Sequence, residues 1–197
     1  MWNQLIDQII TLKLFIDDRG NLYGDQYQNY LSTETGLWQH PEEFAELCLI
    51  LKTHKINSFL NIGTFNGYSF KFLSDFLNKY RETKCITIDP IDHNPVLDDR
   101  FTYLNATSKD FIGQKFDLVF IDGDHDYYSV KEDYENVGQY AKICVLHDIK
   151  DQFCASLNGG PSRFWNEIKD NSCFEIFADK KPLPYTMGIG IKFNMNN

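Results

Sequence analysis

The sequence predicts one α/β domain, a three-layer sandwich in which helices cover both faces of a mostly parallel sheet. Three observations predict it. From Ser58 onward, short apolar runs alternate with stretches of helical length, as in sheets whose strands are buried on both sides. Several of those runs end in glycine, acid or imidazole, the residue types that gather where parallel strands finish. The last two apolar runs, 173–178 and 187–193, are joined by a loop carrying Pro182 and Pro184 with no room for a crossover helix, so they must pair antiparallel.

Taken in order, Trp2, Leu5, Ile6, Ile9 and Ile10 recur at helical spacing and predict an amphipathic helix over the first sixteen residues, packed on the main body or on a second copy of the chain. Residues 17–36 carry turn formers together with Tyr23, Tyr27 and Tyr30 and read as an irregular lid able to close over a ligand. Pro41 opens a helix to about Thr53, with Glu42 and Glu43 in its first turn, where the helix dipole favours acids. Strands are expected near 58–62, 85–89, 101–104, 116–121 and 143–147, with helices over 67–80, 127–139 and 161–169. Residues 1–57 are thus helices and lid attached to a core at 58–197, all within one domain.

Composition narrows the function. A formal charge of -9 with no run of Lys and Arg disfavours nucleic acid as a partner. Gln4, Asp7 and Gln8 break up the apolar residues at the start, so neither a signal-peptide core nor a membrane span is expected, and the cytoplasm is the expected location. Cys48, Cys85, Cys144, Cys154 and Cys173 are odd in number, widely spaced and never in a CxxC pair, which reads as reduced thiols without a zinc site.

Four constellations carry chemistry. In Phe59-Leu-Asn-Ile-Gly63-Thr-Phe-Asn-Gly67-Tyr-Ser69 a buried strand enters a glycine turn and then a helix, whose free N–H groups can face a ligand. Position 65 is Phe, so the G-x-G-x-x-G of a nicotinamide site is absent. Asp89 closes the next strand, where a carboxylate can accept hydrogen bonds from both hydroxyls of a ribose; as a bare turn acid before Pro90 it would do nothing. Phe116-Asp-Leu-Val-Phe-Ile-Asp122-Gly-Asp124-His125 and Ile143-Cys-Val-Leu-His147-Asp148 both end in acid and imidazole. Parallel strands point one way, so all these ends share one edge of the sheet and one site.

With these motifs in place, residues 39–193 resemble the class I S-adenosylmethionine-dependent methyltransferases, within them the methyltransferase domain 24 group, whose members include cephalosporin-hydroxylase-like proteins. The marks are Asn61-Ile-Gly-Thr-x-x-Gly-x-Ser69, the Asp122-Gly-Asp-His125 strand end, Leu146-His-Asp-Ile149, Arg163-Phe-Trp165 and Gly188-Ile-Gly-Ile191. The resemblance implies a Rossmann-like sheet of seven strands ordered 3-2-1-4-5-7-6 with the last one reversed. It implies that Gly63, Thr64 and Ser69 line the methionine part of the cofactor, that Asp89 holds its ribose, and that Ala106 and Thr107 flank its adenine, with Asn61, Gly67 and Asp122 also in the cofactor site. Two departures stand out: Asn61 replaces an acid, and Ala141-Lys142 replaces a Gly-Gly turn.

The reaction so implied is transfer of a methyl group to a small acceptor, a sugar or other hydroxyl compound by analogy with the family. A hydroxyl needs activation at neutral pH. His125 can serve as general base, with Asp122 beside it, and a divalent cation such as Mg2+ on Asp122, His147 and Asp148 can polarise the oxygen. His147 can alternatively support Asp148 or plug the strand end, and His125 can cap the following helix. Arg163, Phe164 and Trp165 form either a substrate wall or helix packing. Two competing readings keep the fold and change the chemistry: a binding protein that has lost catalysis, suggested by Asn61, and a nicotinamide oxidoreductase.

Overall fold

A computed structural model describes residues 1–178 and 187–194. The elements are α1 (Trp2–Thr11), β1 (Leu14–Phe15), β2 (Leu31–Ser32), α2 (Pro41–Lys52), β3 (Ser58–Ile62), α3 (Tyr68–Asn78), β4 (Lys84–Ile88), β5 (Thr102–Leu104), β6 (Leu118–Ile121), α4 (Tyr127–Asn136), β7 (Ile143–His147), α5 (Gln152–Ser156), α6 (Gly160–Ile168), β8 (Cys173–Ile176) and β9 (Ile189–Phe193). The seven-stranded sheet runs β5-β4-β3-β6-β7-β9-β8, and β9 is antiparallel to both neighbours. Counted along the sheet's own seven strands, this is the order 3-2-1-4-5-7-6 with the last strand reversed. The Pro182 and Pro184 loop lies outside the described residues.

Why the sheet is covered on both sides can be read from the alternation of its strands. Phe59, Leu118, Phe120, Ile143 and Val145 point into one apolar layer with Phe44, Phe70 and Phe76 from α2 and α3. Their immediate neighbours Leu60, Val119, Ile121, Cys144 and Leu146 point into the other, against Val130 of α4 and Phe164 and Trp165 of α6. A side-chain period of two inside a continuous apolar run requires two such layers.

Local chemistry sets the helix ends. Pro41 occupies the first turn of α2 and His40 Nδ1 accepts from Glu42 N at 3.3 Å. Asp126 and Asp151 cap α4 and α5 by accepting from Tyr128 N and Cys154 N at 2.9 and 2.7 Å. The first helix stops at Thr11, short of the sixteen residues expected, because Lys13 takes φ +68° and the chain turns into β1. Its apolar stripe, Leu5, Ile9 and Ile10, is buried within its own chain in the layer that holds α2.

The expected irregular lid is more ordered than its composition suggests. β1 and β2 pair in parallel, and a 3-10 turn spans Asp25–Tyr30. Tyr23 is fully buried, and its hydroxyl donates to Phe15 O at 2.6 Å and to Leu37 O at 3.2 Å; Tyr27 is 6% exposed. These two rings tie the segment to the body, so they do not close over a ligand. None of the described helices is long and apolar enough to cross a membrane.

The backbone leaving β3 lies close against the backbone leaving β6 at Gly63. It takes φ +91°, and a Cβ there would stand 2.0 Å from Asp122 O and 2.6 Å from Gly123 Cα, both backbone atoms. Gly63→Ala should therefore lower stability by ~3 kcal/mol or more, the sum of left-handed strain and forced overpacking. Urea unfolding checks this, and a loss well under 1 kcal/mol would show that the turn can shift freely.

Candidate active site

Every parallel strand of the sheet finishes at the same edge, and a cavity of about 630 Å³ opens there. That volume is in the range of small-molecule sites, ~300–1,000 Å³. Asn61, Gly63, Thr64, Ser69, Asp89, Ala106, Thr107, Asp122, His125 and Asp148 all line it. Of the residues expected at the site, two stand behind its wall. Gly67 starts α3 with φ +84° and its Cα faces Pro95 and Leu97. His147 lies beneath the floor at 2% exposure.

At one end, Asp89 organises the glycine turn. Its Oδ2 accepts from Thr64 N at 3.0 Å and Phe65 N at 3.1 Å, and its Oδ1 accepts from Ile91 N at 2.9 Å. A carboxylate has about four lone-pair sites, so one remains for a ribose hydroxyl. Asn61 uses its amide as a brace: Nδ2 donates to Gly63 O at 2.8 Å and to Thr87 Oγ1 at 2.9 Å, while the Thr64 and Thr87 hydroxyls bond at 2.6 Å. An acid at position 61 could not donate these two bonds when ionised, so the substitution belongs to how this chain holds its turn.

Acids and imidazoles gather at the other end. His125 Nε2 lies 2.9 Å from Asp148 Oδ2 and 3.6 Å from Asp122 Oδ1. His147 Nδ1 lies 3.2 Å from both Asp122 Oδ1 and Asp148 Oδ2. Burial works against charge on the two rings, but the two carboxylates outweigh it, pushing His125 up to about 10 and His147 well above its ordinary value. Burial likewise works against charge on Asp122 and Asp148, yet the facing imidazoles hold both below the usual carboxylate range. Asp148 takes φ +58°, an uncommon conformation for a residue other than glycine and one found at functional sites.

This cluster suits a divalent cation. Ligand atoms of Asp122, His147 and Asp148 all lie within 4.8 Å of one another. Among the described residues neither ring nitrogen of His147 meets a partner in hydrogen-bonding geometry, despite its burial and the short distances to two acids. A buried imidazole with no hydrogen-bond partner beside two carboxylates is a mixed nitrogen and oxygen donor set that a divalent cation can use once it displaces the ring proton.

Several cavity residues carry no sequence motif. Gln39 is 2% exposed; its Nε2 donates to Asp122 Oδ2 at 2.7 Å and its Oε1 accepts from Ser69 Oγ, so one side chain joins the helix after the glycine turn to the acid cluster. Asp17, Arg19, Trp38, Asp151 and Phe153 complete the mouth. The expected substrate wall of Arg163, Phe164 and Trp165 is absent from the cavity. Trp165 is 1% exposed and donates from Nε1 to Glu175 Oε1 at 2.6 Å, Phe164 packs on Tyr127 and Tyr134, and Arg163 covers the Tyr127 ring at 3.8 Å. Their helical spacing reflects packing.

Known proteins share part of the sequence pattern and the fold. Residues 60–149 match the sequence profile of a methyltransferase domain family, domain 24. No curated protein matches the chain. Solved structures share its fold at low identity. A cofactor-bound protein from MTB, Rv0187, superposes with a TM-score of 0.60 at 17% identity, covering 82% of this chain and 83% of that one. An O-methyltransferase from Bacillus cereus in complex with S-adenosylhomocysteine gives 0.55 at 16% identity, covering 79% and 81%. The O-methyltransferase TomG from Streptomyces achromogenes in complex with S-adenosylmethionine gives 0.55 at 15% identity, covering 98% and 96%. The glycine turn and the strand-end acids at 89, 122 and 148 all fall within residues 60–149, the part of the chain that is similar to the methyltransferase domain 24 family, and the reversed last strand lies beyond it.

Proposed function

We propose that the protein transfers the methyl group of S-adenosylmethionine to a hydroxyl of a small acceptor. One observation carries this reading: a turn built for close backbone approach, with Asp89 beneath it, shares a single cavity with the Asp122, His125 and Asp148 cluster. The first half suits a nucleoside and the second suits proton removal. O-methyltransferases among the structural neighbours support the same choice of acceptor atom.

Methyl transfer from a sulfonium is an in-line displacement, so the protein must align two reactants and deprotonate one. In this reading Gly63, Thr64 and Ser69 surround the methionine part, Asp89 takes the ribose, and Ala106 and Thr107 flank the adenine. His125 receives the hydroxyl proton, and Asp148, 2.9 Å from Nε2, stabilises the imidazolium that results. That pairing makes the ring a strong proton acceptor once it is neutral. Asp122, His147 and Asp148 would hold a divalent cation, magnesium or another, which supplies Lewis acidity at the acceptor oxygen. Neutralising the two acids would also weaken their grip on the His125 proton, leaving the ring free to act as base.

Three outcomes are expected. S-adenosylhomocysteine should bind the wild type in calorimetry, and Asp89→Ala should weaken that binding about a hundredfold, since it removes both the ribose partner and the brace of Thr64 and Phe65; a folded wild type that gives no heat would remove the methyltransferase reading. With a panel of sugars and other small hydroxyl compounds, His125→Ala and Asp122→Asn should lower turnover about a hundredfold or more. Unchanged turnover in both would assign proton removal elsewhere, while turnover absent from the wild type across the panel would favour a binding protein. Excess chelator should cut turnover at least about tenfold and magnesium should restore it; indifference to chelator would dispose of the cation.

A further inference from the structure

Charge in the cavity is lopsided. Acids dominate its walls, and Arg19 is the sole Lys or Arg among the described residues that line it. This guanidinium is unusually constrained. One face lies over the Trp38 ring, 5.1 Å from its centroid, and Phe153 lies 4.8 Å from it. Nε donates to Asp17 Oδ2 at 2.9 Å and to Oδ1 at 3.1 Å, and Asp17 Oδ1 also accepts from Arg19 N at 2.9 Å. The outer edge makes no hydrogen bond to a described residue; its nearest acid is Asp151, whose Oδ2 forms a long ion pair with Nη1 at 4.0 Å.

An arginine fixed by two rings and an ion pair has already lost most of the conformational freedom that binding would otherwise cost. Its free fork matches a carboxylate in two parallel hydrogen bonds. The surrounding acids sharpen the case. Cationic groups of a ligand, such as a sulfonium or an ammonium, find partners along the acid walls, whereas a ligand carboxylate finds a guanidinium only at Arg19, because the His125 ring is already engaged by Asp122 and Asp148.

We propose that Arg19 is the carboxylate anchor of this cavity, its Nη edge gripping a ligand carboxylate. The inference rests on the methyltransferase reading above, and the carboxylate has two possible sources: the amino-acid end of the cofactor, or an acid group on the acceptor.

Calorimetry with S-adenosylhomocysteine and with 5′-methylthioadenosine, the same nucleoside thioether without the amino-acid end, separates them. If the cofactor supplies the carboxylate, Arg19→Leu weakens S-adenosylhomocysteine about tenfold or more and leaves 5′-methylthioadenosine unchanged, with Arg19→Lys between. If the acceptor supplies it, both nucleosides bind Arg19→Leu normally, and KM rises about tenfold for carboxylate-bearing acceptors but not for their methyl esters. Arg19→Lys keeps the charge beside Asp17, so it still reports if Arg19→Leu fails to fold. Equal weakening of the two nucleosides, or no change in any constant, overturns the anchor. A wild type that binds neither nucleoside overturns the cofactor reading itself, which the variants would not by themselves do.

Discussion

The site depends on how closely the backbone of the glycine turn approaches the backbone that follows β6. Gly63 N donates to Ile88 O at 3.0 Å and Asp122 N donates to Ile62 O at 2.9 Å, so the tips of β4, β3 and β6 are stitched into one row. No side chain fits between Gly63 and the carbonyl of Asp122. Because strands in a sheet lie ~4.8 Å apart, this stitching sets Asp89 on one side of the turn and Asp122 on the other at fixed spacing. The two halves of the cavity are therefore placed by the sheet ladder, and loops only finish them. Gln39 adds a side-chain link across the same gap, from Ser69 to Asp122.

A second constraint acts within the acid cluster. Asp122 is flanked on both sides: its Oδ2 accepts from Gln39, and its Oδ1 faces the His147 and His125 rings at 3.2 and 3.6 Å. Asp148 reaches the same imidazoles only because its backbone adopts a positive φ, turning the side chain back under the strand end. Buried carboxylates brought this close would raise each other's proton affinity; the interleaved rings reverse that and keep both acids ionised. Charged acids are what cation binding and imidazolium stabilisation both need.

Much of this was legible in the sequence because strand ends of a parallel sheet converge whatever the helices do. Apolar runs located the strands, and the residue after each run located Gly63, Asp89, Asp122 and Asp148 without knowledge of any contact. The reversed last strand followed from a connection too short for a helix. What escaped reading came from elements whose position depends on packing. Gln39 and Arg19 sit in a segment without periodicity, so nothing in their spacing says that they return to the strand tips; only the burial of Leu14, Leu22 and Leu37 brings that segment over the edge. Tyr23 and Tyr27 misled for the same reason, because a cluster of rings looks alike whether it covers a ligand or anchors a loop. Arg163, Phe164 and Trp165 lie on a helix whose buried face is set by the Trp165 ring resting against Gly190 of β9, a contact that helical spacing alone does not specify.

The cavity's charge suits the two ends of the proposed reaction differently. An acid-lined crevice on a chain of formal charge -9 attracts a sulfonium cofactor over distances of about a Debye length. Transfer converts that cation into a neutral thioether, so the attraction that favours entry is lost when chemistry is complete. In that proposed reaction the released proton would add positive charge at His125, beside the acids that lose the sulfonium as a partner, and so partly restore the cluster's balance. On the proposed reaction, one arrangement of carboxylates would favour both entry of the charged cofactor and release of the neutral product.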